Sequence, residues 1–174
     1  MKNEVLAIIP ARGGSKGIRN KNLTPLAGKP LIQYTIDAAQ SSELITRVIL
    51  SSDDSVIMDY CRANGVEVPF ERPKEFAEDS SPMIDVILHA VGYLGESEGY
   101  IPDYIILLQP TSPLRSAQNI DEALGALMVS DADSIVSVQE VPHQFNPYSI
   151  MELEGGELKA YMKFDERNNL RQLK

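Results

Sequence analysis

The chain has 174 residues, 43% of them hydrophobic, the size of one ordinary domain with enough apolar side chain to bury a sizeable core. No run of eighteen apolar residues occurs, and Lys2 and Glu4 precede an apolar stretch of only five residues, so neither a membrane span nor a signal peptide is expected. A formal net charge of -9 argues against general nucleic-acid binding, which asks for an excess of lysine and arginine.

The first element predicted is a strand over Val5–Ile9, a continuous apolar run of the kind buried on both faces of a parallel sheet. It leads directly into Pro10-Ala11-Arg12-Gly13-Gly14-Ser15-Lys16-Gly17 and then Ile18-Arg19-Asn20-Lys21-Asn22. Between Val5 and Ile36 lie Arg12, Lys16, Arg19, Lys21 and Lys29 with no acidic residue, so the negative excess belongs to the rest of the chain. Glycines let the backbone approach a ligand and turn successive N–H groups toward it, which suits a polyphosphate. Arg12 offers a bidentate phosphate contact and Lys21 a mobile point charge. A plain flexible connection is the alternative, and it does not account for four cations in the same stretch. Spacing rules out two common phosphate loops. Gly28-Lys29 is followed by Pro30, which supplies no magnesium-binding hydroxyl for a P-loop, and Gly13, Gly14 and Gly17 miss the first, third and sixth positions of the dinucleotide fingerprint.

After Pro30, the residues Leu31, Tyr34, Ala38 and Ala39 mark a helix. A strand at Val48–Leu50 follows. Asp53-Asp54 then reads as the cap of a helix carrying Val56, Ile57, Tyr60 and Cys61, stopped by Asn64-Gly65; magnesium binding is the competing role for the two carboxylates. Cys61, the single cysteine, falls among apolar helix positions and is expected to be a buried, inert thiol, which fits a reducing cytoplasm. A third strand is expected at Val66–Val68. The clearest helix takes Ser81 as its cap and Pro82 in its first turn, with Met83, Val86, Ile87, Ala90, Val91 and Leu94 on one stripe. A strand at Tyr104–Leu108, a helix carrying Ile120, Ala123, Leu124, Leu127 and Met128, and a strand at Ile135–Val138 complete the series.

Strands that alternate with helices and lack hairpin turns imply parallel pairing through right-handed crossovers. The predicted fold class is therefore α/β, a three-layer α/β/α sandwich with a mostly parallel sheet and its ligands at the carboxyl ends of the strands. That domain is expected to span 1–141. From 142 to 174 the pattern changes, with Pro142, Asn146, Pro147 and a Gly155-Gly156 turn among weaker strand signals. Phe145, Tyr148, Ile150, Met151, Tyr161 and Phe164 are many large apolar groups for a tail with little core of its own, which points to an excursion used for dimerisation. His89 and His143 lack paired ligand spacing and receive no metal role, and Asp131 and Asp133 read as a solvated turn.

Three blocks carry a resemblance. The string Ile9-Pro10-Ala11-Arg12-Gly13-Gly14-Ser15-Lys16-Gly17, closed by Lys21-Asn22-Leu23, resembles the signature of the acylneuraminate cytidylyltransferases, the CMP-N-acetylneuraminate synthetases. Leu107-Leu108-Gln109-Pro110-Thr111-Ser112-Pro113-Leu114-Arg115 is similar to the second motif of that family almost letter for letter, and Arg72-Pro73 through Ala77-Glu78-Asp79-Ser80-Ser81 to its nucleotide-contacting loop. The likeness runs from about Val5 to Gln172. It implies a fold of the nucleotide-diphospho-sugar transferase type, and transfer of CMP from CTP to the anomeric hydroxyl of N-acetylneuraminate or a close nine-carbon relative, with magnesium as cofactor.

Carried over by resemblance, the nucleotide would be held by Ala11, Arg12, Gly13, Gly14, Ser15, Lys21, Asn22, Arg72, Asp79, Ser80 and Ser81, with Lys21 and Arg12 as the catalytic cations. Gln109 would face the sugar, and Arg171 would lie near the sugar carboxylate or the reacting phosphate. The resemblance also implies a homodimer. Two departures stand out. Family members continue past Arg171-Gln172 to a pair of aspartates that hold magnesium, whereas this sequence ends at Lys174, so the metal carboxylates are expected outside this chain. Near Pro147 the family often has a lysine that reaches the sugar, where this chain has Tyr148-Ser149. Legionaminic, pseudaminic or 3-deoxy-manno-octulosonic acid therefore stay open as the sugar, as does a nucleotide-binding module without activity.

Overall fold

The computed structural model describes residues 3–14, 17–142, 145 and 150–161. Ser15, Lys16, His143, Asn146, Pro147, Tyr148, Ser149, Phe164, Arg171 and Gln172, all named above, lie outside them. The first element, β1 (Val5–Pro10), is buried along its whole length. A short 3-10 turn at Lys21–Leu23 and a miniature hairpin of β2 (Pro25–Leu26) and β3 (Lys29–Pro30) lead to α1 (Leu31–Gln40). There follow β4 (Arg47–Ser51), α2 (Ser55–Ala63), a second 3-10 turn at Lys74–Phe76, α3 (Met83–Glu98), β5 (Tyr104–Leu107) and α4 (Ala117–Met128). The chain divides into two compact units, Met1–Ile135 and Val136–Lys174, and the second holds the hairpin of β6 (Met151–Glu154) and β7 (Glu157–Ala160).

The main sheet has the order β4-β1-β5, with both pairings parallel: Ile8 sits opposite Ile49 on one side and Leu107 on the other. Successive strand side chains point to opposite faces, and helices cover both, which is why β1 is apolar without a break. Val5, Ala7 and Ile9 pack with Ile32 and Ile36 of α1, Ile57 and Cys61 of α2, and Ile120 and Leu124 of α4. Leu6 and Ile8 pack on the other side with Ile49, Phe70, and Ala90 and Leu94 of α3. This is the expected three-layer sandwich. Each fully buried leucine or isoleucine in it contributes roughly 1.5–3 kcal/mol relative to an exposed one.

Several expectations are corrected. The run Val66–Val68 makes only an isolated parallel bridge, Glu67 with Ile49. No strand forms over 135–138, where Ile135, Val136 and Val138 are 47%, 77% and 88% exposed. Both runs have strand composition; Glu67 does meet β4, accepting the Leu50 N–H at 2.8 Å and donating to the Val48 carbonyl at 3.3 Å, but the pairing stops at that one residue, whereas 135–138 has no strand partner among the described residues and no covered face. Ser81 does not cap α3. Its N-cap is Pro82, without a side-chain bond, and the Ser81 hydroxyl donates instead to the Glu75 carbonyl at 2.6 Å. The β2–β3 hairpin was not expected. It turns at Ala27 and Gly28, with φ of 46° and 96°, and Ala27 gives no warning of a left-handed turn residue.

In the second unit, Gly155 and Gly156 form the tight turn expected of them, with φ of 62° and 88°. Phe145, Ile150, Met151 and Tyr161 are exposed. No described helix is long and apolar enough to cross a membrane.

Candidate active site

At the carboxyl end of β1 a cleft of about 520 Å³ opens, lined by Pro10, Arg12, Gly17, Ile18, Lys21, Asn22, Arg72, Met83, Gln109, Pro110 and Thr111. That volume suits a ligand of nucleotide size. Its walls come from the loop after β1, the loop that precedes α3, and the segment after β5, where the Leu108 N–H still donates to the Ile8 carbonyl at 2.9 Å. Adjacent parallel strands thus deliver their following loops to one place, where open α/β sheets bind ligands.

The loop after β1 is held from several sides. The Asn22 side chain, 6% exposed, donates to the Arg12 carbonyl at 3.1 Å, and the Ala11 N–H donates to the Ser51 carbonyl at 3.0 Å. The Gly13 N–H donates to Asp53 Oδ1 at 2.9 Å. A side chain at Gly13 would be tight, since a Cβ there would stand 3.1 Å from Asp54 Oδ2 and 3.3 Å from Asp54 Cβ. Asp54 is fixed in turn because it caps α2, accepting from Val56 N at 2.9 Å and Ile57 N at 3.1 Å. The capping role expected of the doublet is therefore filled by Asp54 alone. Lys21 enters the cleft from the 3-10 turn that follows Asn20, which has a left-handed φ of 52°.

Arg12 reaches across to the loop before α3, donating to the Ala77 carbonyl at 3.3 Å and pairing with Asp79. The two side chains of that pair are 33% and 37% exposed, so it is worth at most about 1 kcal/mol, and a phosphate competes readily for the guanidinium. Arg72 is different. It is 4% exposed, and it donates from Nε to Ser51 Oγ at 2.9 Å, from Nη2 to the Ser51 carbonyl, and from Nη1 to the Phe76 carbonyl at 3.5 Å. Burial pushes its pKa down to about 10, with Asp53 pulling it up and Arg12 pushing it further down. It remains a cation at neutral pH and braces its loop while presenting charge to the cleft.

The structure thus brings Arg12, Lys21, Asn22, Arg72 and Gln109 to one cleft, and joins Asp79 to it through Arg12. Ala11 is buried beneath, and Gly13 lines a separate cavity of about 70 Å³ toward α2. Gly14, with φ of 30°, is not among the lining residues, nor are Ser80 and Ser81. Ser80 donates to Glu78 at 3.5 Å. Ser15 and Arg171 lie outside the described residues.

Two residues with a bearing on the site received no such role from sequence. Asp53 holds the glycine-rich loop, and the signal available was a doublet where one cap suffices. Arg115, the last residue of the second motif, donates from Nη2 to the Gln109 carbonyl at 3.2 Å and to the buried Thr35 hydroxyl at 3.3 Å. Its Nε is buried with no hydrogen-bond partner among the described residues, and burial lowers its pKa.

Among the described residues no group of three or more histidine, cysteine or acidic side chains is placed to hold a metal. The aspartates around the cleft already serve protein donors: Asp53 the Gly13 amide, Asp54 the start of α2, Asp79 the Arg12 guanidinium. The described residues do not make a magnesium site.

A cytidylyltransferase family model matches residues 6–152. The chain is 40% identical over 124 residues to an N-acylneuraminate cytidylyltransferase of Escherichia coli, covering 71% of this chain and 28% of that protein. It is 37% identical over 137 residues to a CMP-N,N'-diacetyllegionaminic acid synthase of Legionella pneumophila, covering 79% and 58%. The chain therefore spans 28% to 58% of the length of these curated relatives. Among solved structures its fold is like that of a CMP:2-keto-3-deoxy-manno-octonic acid synthetase complexed with CTP, with a TM-score of 0.59 and 23% identity over 72% of this chain and 47% of that one. Since the family model spans most of the chain, and takes in the two motifs that build the cleft, the chain belongs to the cytidylyltransferase family, as the resemblance of those motifs to the acylneuraminate enzymes implied.

Proposed function

We propose that this chain is the nucleotide-binding part of an enzyme that transfers CMP from CTP to the anomeric hydroxyl of an acidic nine-carbon sugar of the sialic acid type. The observation that carries the reading is the convergence of Arg12, Lys21 and Arg72 on one strand-end cleft, with Gln109 at the end of β5 in the same wall. The hydroxyl oxygen attacks the α-phosphorus of CTP and loses its proton, while the bond from that phosphorus to the bridging oxygen breaks and pyrophosphate leaves. Such a transfer needs in-line positioning and neutralisation of charge more than covalent help from the protein. Arg12 and Lys21 suit charge developing on the α-phosphate and the departing pyrophosphate. Gln109 offers an amide donor and acceptor to a polyhydroxylated sugar.

Relatives that act on different acidic sugars support the reaction type better than the choice of sugar. Part of the same proposal is a homodimer, supported by the exposed leucines Leu153 and Leu158 of the β6–β7 hairpin. The test is pyrophosphate release with CTP and N-acetylneuraminate, legionaminic, pseudaminic and 3-deoxy-manno-octulosonic acid in parallel. The nine-carbon sugars should be turned over, and Lys21→Ala should lower kcat by roughly a hundredfold. Silence with every sugar, or wild-type turnover in the Lys21 variant, would end this reading.

A further inference from the structure

Ser51, the last residue of β4, and the three residues after it fasten two of the cleft's walls, the loop after β1 and the loop before α3. The Ser51 carbonyl accepts the Ala11 N–H at 3.0 Å and a bond from the Arg72 guanidinium, and the Ser52 carbonyl accepts the Arg72 N–H at 2.7 Å. The Ser52 hydroxyl accepts the Asp54 N–H at 3.1 Å, and Asp54 caps α2 while closing off the space beside Gly13. Ser51 and Ser52 are fully buried, so this turn is a fixed base. Asp53 is the one member whose carboxylate is not used to hold the turn or the helix; its bond goes to the Gly13 N–H instead.

We propose that Asp53 is a positioning residue for the nucleotide: by accepting the Gly13 N–H it sets the course of the glycine-rich loop, and with it the place of Arg12 in the cleft. The inference rests on the reading of the cleft as a nucleotide site. It changes the part played by Gly13, whose amide is spent on Asp53 and does not serve a phosphate. A Cβ at Gly13 would crowd Asp54, which would have to give way by a few tenths of an ångström. Phosphate binding then falls to Arg12 and Lys21 and to amides further along the loop. Removal of an ionised acceptor leaves a part-buried amide unsatisfied and frees the loop to wander, which converts to a loss of about tenfold or more in nucleotide affinity.

The experiment measures KM for CTP and kcat at saturating CTP for the wild-type chain, Asp53→Ala and Asp53→Asn, together with amide hydrogen exchange at Gly13. The Ala variant should raise KM for CTP about tenfold and also lower kcat at saturation, because Arg12 shifts with the loop. The Asn variant keeps an acceptor oxygen and should recover KM to within about threefold. The Gly13 amide should be protected in the ligand-free wild type, a measurement that holds even where the Ala variant fails to fold, and exposed in a folded Ala variant. Rapid exchange at Gly13 in the wild type overturns the proposal, as does an unchanged KM in a folded Asp53→Ala. So does an Asn variant as damaged as the Ala one, because the carboxylate charge would then be the feature in use. If the wild-type chain neither binds CTP nor releases pyrophosphate, the functional reading fails and this inference with it, whereas an active wild type with an indifferent Ala variant sinks this inference alone.

Discussion

Arg72 and Lys21 show how two cations on one cleft differ in what they cost and supply. Arg72 places three of its nitrogens on the oxygens of Ser51 and Phe76, so its loss removes two bonds to the buried Ser51 and one to the half-buried Phe76 carbonyl as well as a charge. We expect Arg72→Ala to destabilise the fold by about 2–4 kcal/mol, read as a lower denaturant midpoint at unchanged slope. Arg72→Lys should recover little of it, since an ammonium cannot reproduce the fork that meets Ser51 twice. Lys21, on a solvent-facing turn, should show the opposite pattern of lost turnover and intact stability, and equal stability losses in both variants would refute the distinction. Arg12 and Lys21 are legible as cations of a glycine-rich loop, whereas the roles of Asn22, Arg72 and Gln109 come only through the resemblance of three separate blocks to the acylneuraminate enzymes. Asp53 and Arg115 are not legible because their partners are set by tertiary packing: Asp53 meets Gly13 only because β4 lies beside β1 in parallel register, and Arg115 meets Thr35 across the fold.

At the scale of elements, the helices differ in how they start. α4 has a capping box, with the Ser116 hydroxyl accepting from the Asn119 N–H and the Asn119 side chain accepting from the Ser116 N–H. α3 starts at Pro82 with no side-chain cap, and α2 depends on Asp54. Asp54→Ala should therefore cost about 1 kcal/mol, seen as a Tm lower by roughly 2–4 °C for a chain of this size, and a Tm unchanged within error would show that the cap is idle. Such caps are readable from sequence where one candidate stands before an apolar stripe. They are misread where several stand together, as Ser80, Ser81 and Pro82 do before α3. Strands follow a similar logic. β1 is unambiguous because both its faces are covered, while Ile135–Val138 has the same residue types and no strand partner, a fact of tertiary pairing that local composition does not contain.

For the whole molecule the open question is what covers the β6–β7 hairpin. Its residues alternate, with Leu153 opposite Leu158 on one face and Glu152 opposite Lys159 on the other, and the two leucines are 72% and 68% exposed. A lone two-stranded ribbon is marginal in water, so an apolar face of this kind gains by burial against a second copy, at about 25 cal/mol per Å² removed from solvent. Each copy carries a formal charge of -9, and bringing two together is opposed by their mutual repulsion, which salt screens. The proposed homodimer should therefore tighten as salt is raised from about 0.05 to 0.5 M, whereas CTP held by Arg12 and Lys21 should weaken over the same range. Light scattering at micromolar concentration separates the two effects. Leu153→Lys, which puts a charge on the apolar face, should shift the chain to monomer at every salt concentration, and a wild type that stays monomeric at high salt would remove the dimer from the proposal.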